Sequence, residues 1–566
     1  WAAPSPRFRY YRPLQALSYA IERIAWGFTP ARMRAVGIFI HALCGTLIYC
    51  ALFFLFRDHL LAFVSAALFC VHPIHVSTVA LISVRSVLLS ALFMLASLYL
   101  FLHFLSGGKW TFYVASLAGF VAAVLSREDA LLTPLFLSAC AFFYTGSRRR
   151  AVAWVISFIL MAASYWVFRL YFLPCGQMAA GNLFSLQAIR SFLYSLFDYC
   201  GQLILPVTAR ELIMPQARLL DRVAFAAALL FFAGSFLAGI MRRERIVLFG
   251  LLWYVVGLAP LAGLAEGVRL FGPIISEHYV YIASAGFILV VAYFLLRLRI
   301  RFPRTCLALF VLLLTASSFM SGFFTRYYKD DITFYLYLLR TGKGNSFFRV
   351  NLATSYYQKG AYKQALDQAR LALQEDADSW EAYLVLGNVY KDTGEQERAL
   401  EMYEKAASLR PAAVVFNNMA LVYKNRGEQG EALKCFSKAL ESDPGSLLAM
   451  GNLAAFFIES GEFLKALELT RRMSALDPQD TSALVLRGIA SASTGDQSAA
   501  QAAFEEALRI DPLDIGALRN LGVLYANRQD YQNARRLWGM VLELKPGEPE
   551  TMRLLEMLKG AEGNIW

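Results

Sequence analysis

Two histidines, a proline and an arginine interrupt the apolar sequence of residues 70–90. His72, Pro73 and His75 directly follow one apolar run, and Arg85 stands at the head of the next. Imidazole and guanidinium groups are costly among lipid tails unless they have partners, and proline breaks a helix. The pattern therefore predicts either a membrane boundary, where these side chains only anchor helix ends, or a polar cavity, where they could bind phosphate and handle protons.

The elements that must hold this stretch belong to a chain of 566 residues, 58% of them hydrophobic. That share is too high for an ordinary soluble protein and indicates a membrane protein. Long apolar runs continue to about Tyr328, after which a pattern rich in alanine, leucine, glutamate and lysine takes over. We therefore predict an all-α fold, with a multi-span membrane domain at residues 1–330 followed by a soluble helical domain. We also expect an upstream segment before Trp1 that carries a further span.

We predict ten membrane spans from ten apolar runs, most of which approach the ~20 residues needed to cross a bilayer. They cover residues 35–56, 60–71, 86–105, 110–126, 130–146, 151–173, 223–241, 246–264, 280–298 and 306–324. Residues 7–33 and 186–205 are mixed in character, and we predict that they lie in the membrane interface, with Arg190, Asp198 and Gln202 facing water.

The net charge of +12 lies largely in short loops between the apolar runs, so we expect no nucleic-acid partner. Arginines cluster in alternate loops, which predicts that these loops face the cytoplasm. The opposite face then carries residues 72–85, residues 126–129 and everything after Thr325. A pocket there with arginines and carboxylates would suit a phosphate-headed lipid and an incoming hydroxyl group.

From Ser346 the sequence repeats about every 34 residues. A small residue in the first helix recurs as Ala353, Gly387, Ala420, Ala454, Gly488 and Gly522, and a turn glycine as Gly360, Gly394, Gly427, Gly461 and Gly495, with Gln529 in the sixth repeat. An alanine in the second helix and a closing proline follow the same period. This is the tetratricopeptide (TPR) pattern, which predicts a superhelix of six helix pairs within residues 331–549 and a capping helix and tail at 550–566.

The first helices carry a recurring asparagine at Asn351, Asn418, Asn452 and Asn520. A column of amides in the inner groove could pair with the backbone of an extended polypeptide. The alternative is that these side chains only hydrogen-bond neighbouring carbonyls.

Several motifs, taken in order, resemble the transmembrane-and-TPR-containing O-mannosyltransferase family and its bacterial relatives. They are Tyr11-Arg12-Pro13-Leu14, His72-Pro73-Ile74-His75 with Arg85 and Leu88-Leu89, Ser126-Arg127-Glu128, Glu277-His278-Tyr279-Val280-Tyr281 and Ser284-Ala285-Gly286. The resemblance covers most of the chain, including the repeats. It implies a GT-C glycosyltransferase that moves a sugar, mannose or another hexose, from a polyprenyl-phosphate carrier to protein hydroxyls. It also implies inversion at the anomeric carbon, an acidic general base, and a TPR domain in the periplasm or endoplasmic reticulum lumen.

The resemblance assigns roles to particular residues. The expected partners of the carrier phosphate are Tyr11, Arg12, Arg85 and Tyr279, and the catalytic candidates are His72, His75, Arg85, Glu128, Glu277 and His278. The four asparagines of the TPR groove would bind the acceptor polypeptide. The lipid-linked sugar is expected as a co-substrate, without a tightly bound cofactor or a metal site.

The chain also departs from the family pattern. No acidic pair precedes Tyr11, Ser77 and Val87 stand where the family has acids, and His278 replaces an arginine. These departures favour an alternative, a catalytically inactive membrane-anchored TPR scaffold for envelope or secretory proteins. A lipid-linked glycan polymerase or ligase is a third possibility. A further alternative is that Arg85 and Glu128 form a buried ion pair that only orders the bundle.

Overall fold

The computed structural model describes residues 11–27, 29–144, 148–172, 186–206, 218–259, 277–340 and 345–563. These residues form α-helices and short 3₁₀ helices, with no strand among them. The chain divides into two compact units, Trp1–Gly344 and Asn345–Trp566. We call them the membrane unit and the TPR unit.

The boundary lies at Gly344 and not at residue 330, because the helix Asp331–Arg340 belongs to the membrane unit. Its Tyr337 ring stacks on Tyr327 at 4.4 Å between centroids, and Phe334 packs against Phe324 and Tyr328.

The described membrane unit contains fourteen α-helices. They are α1 (Pro13–Trp26), α2 (Pro30–Phe56), α3 (His59–Val71), α4 (Val76–Ala80), α5 (Arg85–Leu105), α6 (Trp110–Ser126), α7 (Thr133–Tyr144), α8 (Arg148–Phe172), α9 (Leu186–Ile204), α10 (Arg218–Met241), α11 (Arg245–Leu258), α12 (Tyr281–Arg301), α13 (Pro303–Thr325) and α14 (Asp331–Arg340). Five 3₁₀ helices separate some of them, at Pro73–His75, Ile82–Val84, Glu128–Leu132, Glu277–Val280 and Arg326–Tyr328.

The ten predicted apolar runs are all helical in their described parts, but fewer of them have the length of a membrane span. Among the described residues, five helices are long and apolar enough, at Pro30–Phe56, Ile82–Leu105, Val223–Met241, His278–Arg301 and Pro303–Tyr328. The pair His59–Val71 and Pro73–Ala80, bent by 50°, would be a sixth. The apolar helices Trp110–Ser126, Ala153–Arg169 and Arg245–Leu258 are shorter. These apolar helices indicate a membrane protein.

The bend between α3 and α4 follows from the local sequence. The side chain of Asp58 caps α3 by accepting hydrogen bonds from the amides of Leu60 and Leu61, at 2.9 and 3.0 Å. Pro73 cannot donate to the helix and pushes His72 into an extended conformation, with ψ 127°. The chain therefore leaves the helix axis at the two histidines.

The Ser284-Ala285-Gly286 motif lies where α11 and α12 cross closely. A Cβ atom added to Gly286 would come within 2.4 Å of the carbonyl oxygen of Gly250, and one added to Gly257 within 2.7 Å of Ala283. Small residues let two backbones approach in this way in a membrane bundle. The glycine of the motif therefore serves helix packing.

The prediction for α9 is wrong at Gln202. This side chain is buried, and its amide donates a 2.7 Å hydrogen bond to Asp198. This hydrogen bond pairs one donor of the buried Gln202 amide, since an unpaired buried donor would be costly. Asp198 itself is half-buried, and the side chain of Arg190 lies outside the described residues.

The TPR unit is built from twelve paired helices and a terminal one. The pairs are α15 (Ser346–Gln358) and α16 (Tyr362–Glu375), α17 (Trp380–Asp392) and α18 (Gln396–Leu409), α19 (Ala413–Asn425) and α20 (Gln429–Ser442), α21 (Leu447–Glu459) and α22 (Phe463–Leu476), α23 (Thr481–Ser493) and α24 (Gln497–Ile510), and α25 (Ile515–Asn527) and α26 (Tyr531–Leu544). The last helix, α27, spans Pro549–Gly563.

The small-residue column makes room for aromatic rings from the second helix of the same pair. A Cβ atom on Gly522 would come within 2.4 Å of the Trp538 ring, and one on Gly488 within 2.4 Å of Phe504. Both rings are buried. The glycines thus let a large side chain fill the space between paired helices, as close packing requires.

The turn column needs a left-handed backbone. The five turn glycines have φ between +72° and +87°, where glycine carries no steric penalty. Gln529 occupies the same position in the sixth pair with φ +62°. This pair therefore carries backbone strain that the other five avoid.

Candidate functional site

Helix α1 docks on the bundle through its polar side chains. The Gln15 side chain donates a 3.0 Å hydrogen bond to the carbonyl of Ser83, and the Tyr19 hydroxyl donates one of 2.5 Å to the carbonyl of Ile82. Glu22 is buried on the same face, whereas Leu17, Ile21 and Ile24 on the other face are exposed. The helix is therefore polar towards the protein and apolar away from it.

Arg85 is buried beneath α1. Its Nη1 atom pairs with the Glu22 carboxylate, and its Nη2 atom donates a 2.6 Å hydrogen bond to the carbonyl of Met33. The guanidinium also lies 4.9 Å from the centre of the Tyr19 ring. Only 2% of Arg85 and 3% of Glu22 are exposed. The partner of Arg85 is thus Glu22, and the alternative in which it pairs with Glu128 is wrong.

Glu128 lies between two other arginines. Arg12 Nη2 contacts its Oε2 atom at 3.3 Å, and Arg169 Nη1 contacts its Oε1 atom at 2.6 Å. Arg12 Nη1 also contacts the Ser86 hydroxyl at 3.3 Å. Burial disfavours the charged carboxylate, but Arg12 and Arg169 outweigh it and hold the pKa of Glu128 below its ordinary value. Glu128 is therefore ionised at neutral pH.

The adjacent residues form a second acid–arginine pair. Arg127 Nε contacts Asp129 Oδ2 at 3.0 Å, and the Arg127 guanidinium lies 4.9 Å from the centre of the Tyr279 ring. The Ser90 hydroxyl donates to Asp129 Oδ1 at 3.3 Å. Asp129 lines a cavity of about 20 Å³ together with His278, Tyr279 and Tyr281. A cavity of this size holds about one water molecule or one hydroxyl group.

The histidines near the bend are packed in the bundle. His72 Nε2 faces the carbonyl of Leu203 at 3.1 Å, so this nitrogen carries the proton, and Nδ1 accepts from the Ile74 amide at 3.3 Å. His75 is buried, with Nε2 3.3 Å from the Ser284 hydroxyl. The His75 ring also lies 4.9 Å from that of Tyr281. Since both nitrogens of His72 have partners that fit the neutral ring, its role here is to fix the bend.

His41, which the sequence analysis did not single out, joins the same group. Its Nδ1 atom lies 2.6 Å from the Tyr281 hydroxyl and its Nε2 atom 3.0 Å from the carbonyl of Cys70. Because the carbonyl can only accept, Nε2 carries the proton and Tyr281 donates to Nδ1. His41, His75 and Tyr281 thus connect α2, the bend and α12.

The structure brings most of the predicted site residues together around the start of α5. His278 and Tyr279 line the cavity, and Glu128, which Arg12 contacts, directly precedes the lining residue Asp129. Arg85 lies beneath α1. Glu277 begins the 3₁₀ helix before α12, but its side chain is outside the described residues. Within the described chain, no three His, Cys, Asp or Glu side chains are grouped as metal ligands would be.

Tyr11, also predicted to contact phosphate, is exposed at the start of α1. Its ring lies 6.4 Å from that of Phe168. It therefore packs on α8, beside the arginine of that helix that contacts Glu128.

The four predicted groove asparagines are half-buried and use their amides within the TPR unit. Asn351 and Asn520 each donate a 2.8 Å hydrogen bond to a carbonyl one turn earlier, at Phe347 and Gly516. Asn351 and Asn520 therefore behave as in the alternative given in the sequence analysis, in which the asparagines hydrogen-bond neighbouring carbonyls.

The other two asparagines join neighbouring repeats. Asn418 donates to the side chain of Asn388 at 2.8 Å, and Asn452 to that of Asn417 at 2.9 Å. The Tyr403 hydroxyl donates to the same Asn388 oxygen at 2.8 Å. The amide column therefore includes a network between repeats.

Six residues of this site were missed as candidates. Gln15, Tyr19 and Glu22 have helical spacing that places them on one face of α1, which is a signal that could have identified Glu22. Asp129 adjoins Glu128, and Arg169 interrupts an apolar run near its end. His41 had no such signal, because a single histidine in an apolar helix does not reveal its partners.

Comparisons with known proteins agree with the repeats and show partial similarity to O-mannosyl-transferases. Two profiles described as tetratricopeptide repeat match the chain, one at residues 381–412 and 413–446 and the other at residues 484–549. The chain is 33% identical over 140 residues to Protein O-mannosyl-transferase TMTC1 of Mus musculus, which covers 25% of this chain and 14% of the mouse protein. It is 22% identical over 473 residues to Protein O-mannosyl-transferase TMTC3 of Homo sapiens, which covers 73% of this chain and 50% of the human protein. The matches thus span half or less of these relatives.

Solved structures resemble part of the chain. The type IV pilus biogenesis factor PilW is 23% identical, with a TM-score of 0.33, and the match covers 37% of this chain and 98% of PilW. The TPR protein YrrB is 25% identical, with a TM-score of 0.26, and covers 33% of this chain and 97% of YrrB.

Proposed function

We propose that this chain is a membrane glycosyltransferase of the GT-C type. It takes a hexose such as mannose from a polyprenyl-phosphate carrier and transfers it to serine or threonine hydroxyls of a polypeptide. The observation that carries the proposal is the grouping of Arg12 and Arg169 around Glu128, which directly precedes the cavity-lining Asp129. Similarity to O-mannosyl-transferases supports the same reaction class.

The arginines are the groups that would hold the phosphate. Arg12 and Arg169 each present a guanidinium at Glu128, and guanidinium groups bind phosphate oxygens in a forked geometry. Glu128 keeps the two cations close together before the donor arrives. The sequence predicts the same role for Arg85, but both of its terminal nitrogens already bind Glu22 and Met33.

Asp129 is the described carboxylate that lines the cavity, and we assign it the role of general base. The acceptor hydroxyl gives its proton to Asp129 while its oxygen forms a bond to the anomeric carbon. The bond from that carbon to the phosphate oxygen breaks, and polyprenyl phosphate leaves with the electron pair. Attack from the opposite side inverts the anomeric configuration. His278 and Tyr279 border the same space and would orient the hydroxyl.

The cavity admits a hydroxyl group but not a hexose, so donor binding requires the surrounding elements to separate. The TPR unit would bind the acceptor as an extended polypeptide. Its repeats offer the half-buried amides of Asn351, Asn418, Asn452 and Asn520. We place this unit, with the arginine cluster, on the non-cytoplasmic face, because the basic loops alternate with the loops that carry the polar motifs.

The test is transfer by the full-length protein in liposomes. Polyprenyl-phosphate mannose and other hexose donors are supplied with secreted or envelope proteins, and products are searched by mass spectrometry for added hexose on serine or threonine. We expect hexose addition with wild type, a loss of kcat of about 10²-fold or more with Asp129→Asn, and a raised KM for the donor with Glu128→Gln. Lys405→Ala, which changes an exposed pair in the TPR unit, is the matched control.

One observation favours the second candidate, an inactive scaffold. Both carboxylate oxygens of Glu128 are occupied by arginines, as in an ion-pair cluster that only orders helices. If no donor yields a product while the TPR unit still retains secreted proteins, the scaffold is the better account.

A further inference from the structure

We propose that the Glu22–Arg85 ion pair is a latch that fastens α1 to the bundle, and that Arg85 is a positioning residue. The latch holds α1 so that Arg12, immediately before its first residue, reaches Glu128 and Ser86. Arg85 acts on the donor site through α1 and has no contact with the donor phosphate.

The hydrogen bonds of Arg85 exclude it from direct phosphate binding in this arrangement. One terminal nitrogen pairs with Glu22 of α1 and the other with the carbonyl of Met33 in the first turn of α2. The guanidinium is 2% exposed and is covered by the Tyr19 ring. The Arg85 side chain thus links α1 and α2 to α5.

Helix α1 depends on such polar contacts because its apolar residues point away from the bundle. Leu17, Ile21 and Ile24 are exposed by 52%, 56% and 86%. Lipid can cover an apolar outer face of this kind whether or not the helix is docked on the bundle. Loss of the ion pair should therefore release α1 selectively into the membrane interface without unfolding the remaining helices.

The consequence for the site follows from the position of Arg12. Its two terminal nitrogens contact Ser86 and Glu128, and Ser86 directly follows Arg85 at the start of α5. Release of α1 would withdraw Arg12 and uncover Ser86, which is fully buried. The part of the inference that concerns the donor rests on the proposed function, whereas the docking of α1 does not.

The test uses the full chain in lipid nanodiscs and a cysteine reporter at Ser86→Cys, labelled with a water-soluble maleimide. The parent without the reporter corrects for the native cysteines. Ser97→Cys, on the same helix and equally buried, reports on general loosening of the bundle. Each reporter is combined with Glu22→Gln, with Arg85→Lys, and with Glu401→Gln, which removes the same charge from an exposed pair in the TPR unit.

We expect Glu22→Gln to raise the labelling rate at position 86 by at least tenfold and to leave position 97 protected. Arg85→Lys should give an intermediate rate, because an ammonium group keeps the charge but cannot make the forked pair of hydrogen bonds of a guanidinium. Glu401→Gln should leave both labelling rates unchanged. Unchanged labelling at position 86 would overturn the latch. A rise at both positions would also overturn it, because the pair would then hold the whole bundle and not α1 alone.

A kinetic readout tests the link to Arg12. Glu22→Gln should raise the KM for the lipid-linked sugar by about tenfold, and Arg12→Gln should add little in that background, since both changes remove the same contact. Additive losses would contradict positioning through Arg12. If wild type transfers no sugar, the proposed function fails, and the labelling result still decides the latch.

Discussion

Charged residues are used differently in the two units. In the TPR unit, pairs such as Lys405–Glu401 lie one helical turn apart with about half of each side chain exposed. In the membrane unit, Arg85 and Glu22 are 63 positions apart and Arg12 and Glu128 are 116 positions apart, and both pairs are largely buried. The first kind keeps a helix surface soluble, whereas the second decides which helices meet.

The difference in burial implies a difference in energy. Exposed ion pairs contribute about 0.2–1 kcal/mol, because water and salt screen them. Removing one member of a buried pair costs about 3–5 kcal/mol, because the other charge is left without a partner. The TPR unit relies on fitted small and large side chains, so its sensitive positions should be glycines and not charges.

The largest effect is expected for Glu22→Gln, which should reduce the free energy of α1 opening by about 3–5 kcal/mol or abolish docking. The measurement is hydrogen–deuterium exchange of peptides from Pro13–Trp26 in the full chain. Glu401→Gln, which removes the same charge from an exposed pair, should leave the exchange of its own helix, α18, nearly unchanged. Equal effects in the two helices would remove the distinction between the units.

Glu128→Gln should cost about 1.5–3 kcal/mol at neutral pH, because two charge-assisted hydrogen bonds lose their anion. The pKa of Glu128 is lowered in the folded protein, so its stabilising contribution is present above the ordinary glutamate pKa of about 4.3 and is lost as pH falls through the lower folded value. The stability difference between wild type and variant in thermal unfolding should therefore shrink as the pH is lowered through the folded pKa of Glu128. A stability difference that does not shrink on acidification would contradict the assignment.

Gly522→Ala should destabilise the TPR unit by about 1–3 kcal/mol, because the new Cβ atom would overlap the buried Trp538 ring. Gly539→Ala in α26 is the matched control, since a Cβ atom there meets nothing within 4 Å and alanine favours a helix by about 0.5–1 kcal/mol. Exchange of peptides from Ile515–Leu544 measures both. If Gly522→Ala leaves the stability of the TPR unit unchanged, the close contact between Gly522 and the Trp538 ring is not needed for packing.

Gln529→Gly should stabilise the last repeat pair by about 1 kcal/mol, because glycine adopts φ +62° without strain. Gly495→Ala, at φ +87°, should have the opposite sign. Chemical unfolding of the full chain, followed by exchange in α23–α26, provides the measurement. A loss of stability with Gln529→Gly would show that the glutamine side chain outweighs the strain.

The smallest effect is expected for Lys405→Ala, which should change stability by less than about 0.5 kcal/mol. The lysine lies on an exposed helical surface, where its contact with Glu401 is screened. Thermal unfolding at low and high salt measures the change. A loss above 1 kcal/mol would place this surface pair with the buried pairs of the membrane unit.

The two units also differ in how far their structures follow from the sequence. The repeat period predicted the helix pairs of the TPR unit, because each contact recurs at a fixed spacing in the chain. In the membrane unit, residue type identified Arg85 as unusual and the family resemblance identified Arg12 and Glu128, but neither gave the partner of Arg85. Pairing across 63 or 116 positions depends on how helices pack, and Glu22 resembled a solvated residue of an interfacial helix.

The number of membrane spans likewise could not be predicted from the sequence as well as the repeats could. Apolar composition located the runs, but the ends of a helix decide its length, and α6 is shorter than the helices that have the length of a span. The amides of the TPR groove were found by type, whereas the network that joins Asn388, Asn417, Asn418 and Asn452 required coordinates.

The most direct test of the account is the rate of hexose transfer by Asp129→Asn relative to wild type in the same liposomes. The account predicts a fall in kcat of about 10²-fold or more with donor KM little changed, since Asp129 takes the proton and the arginines hold the phosphate. Transfer at the wild-type rate would show that the carboxylate lining the cavity has no part in the chemistry, and would contradict the proposed site.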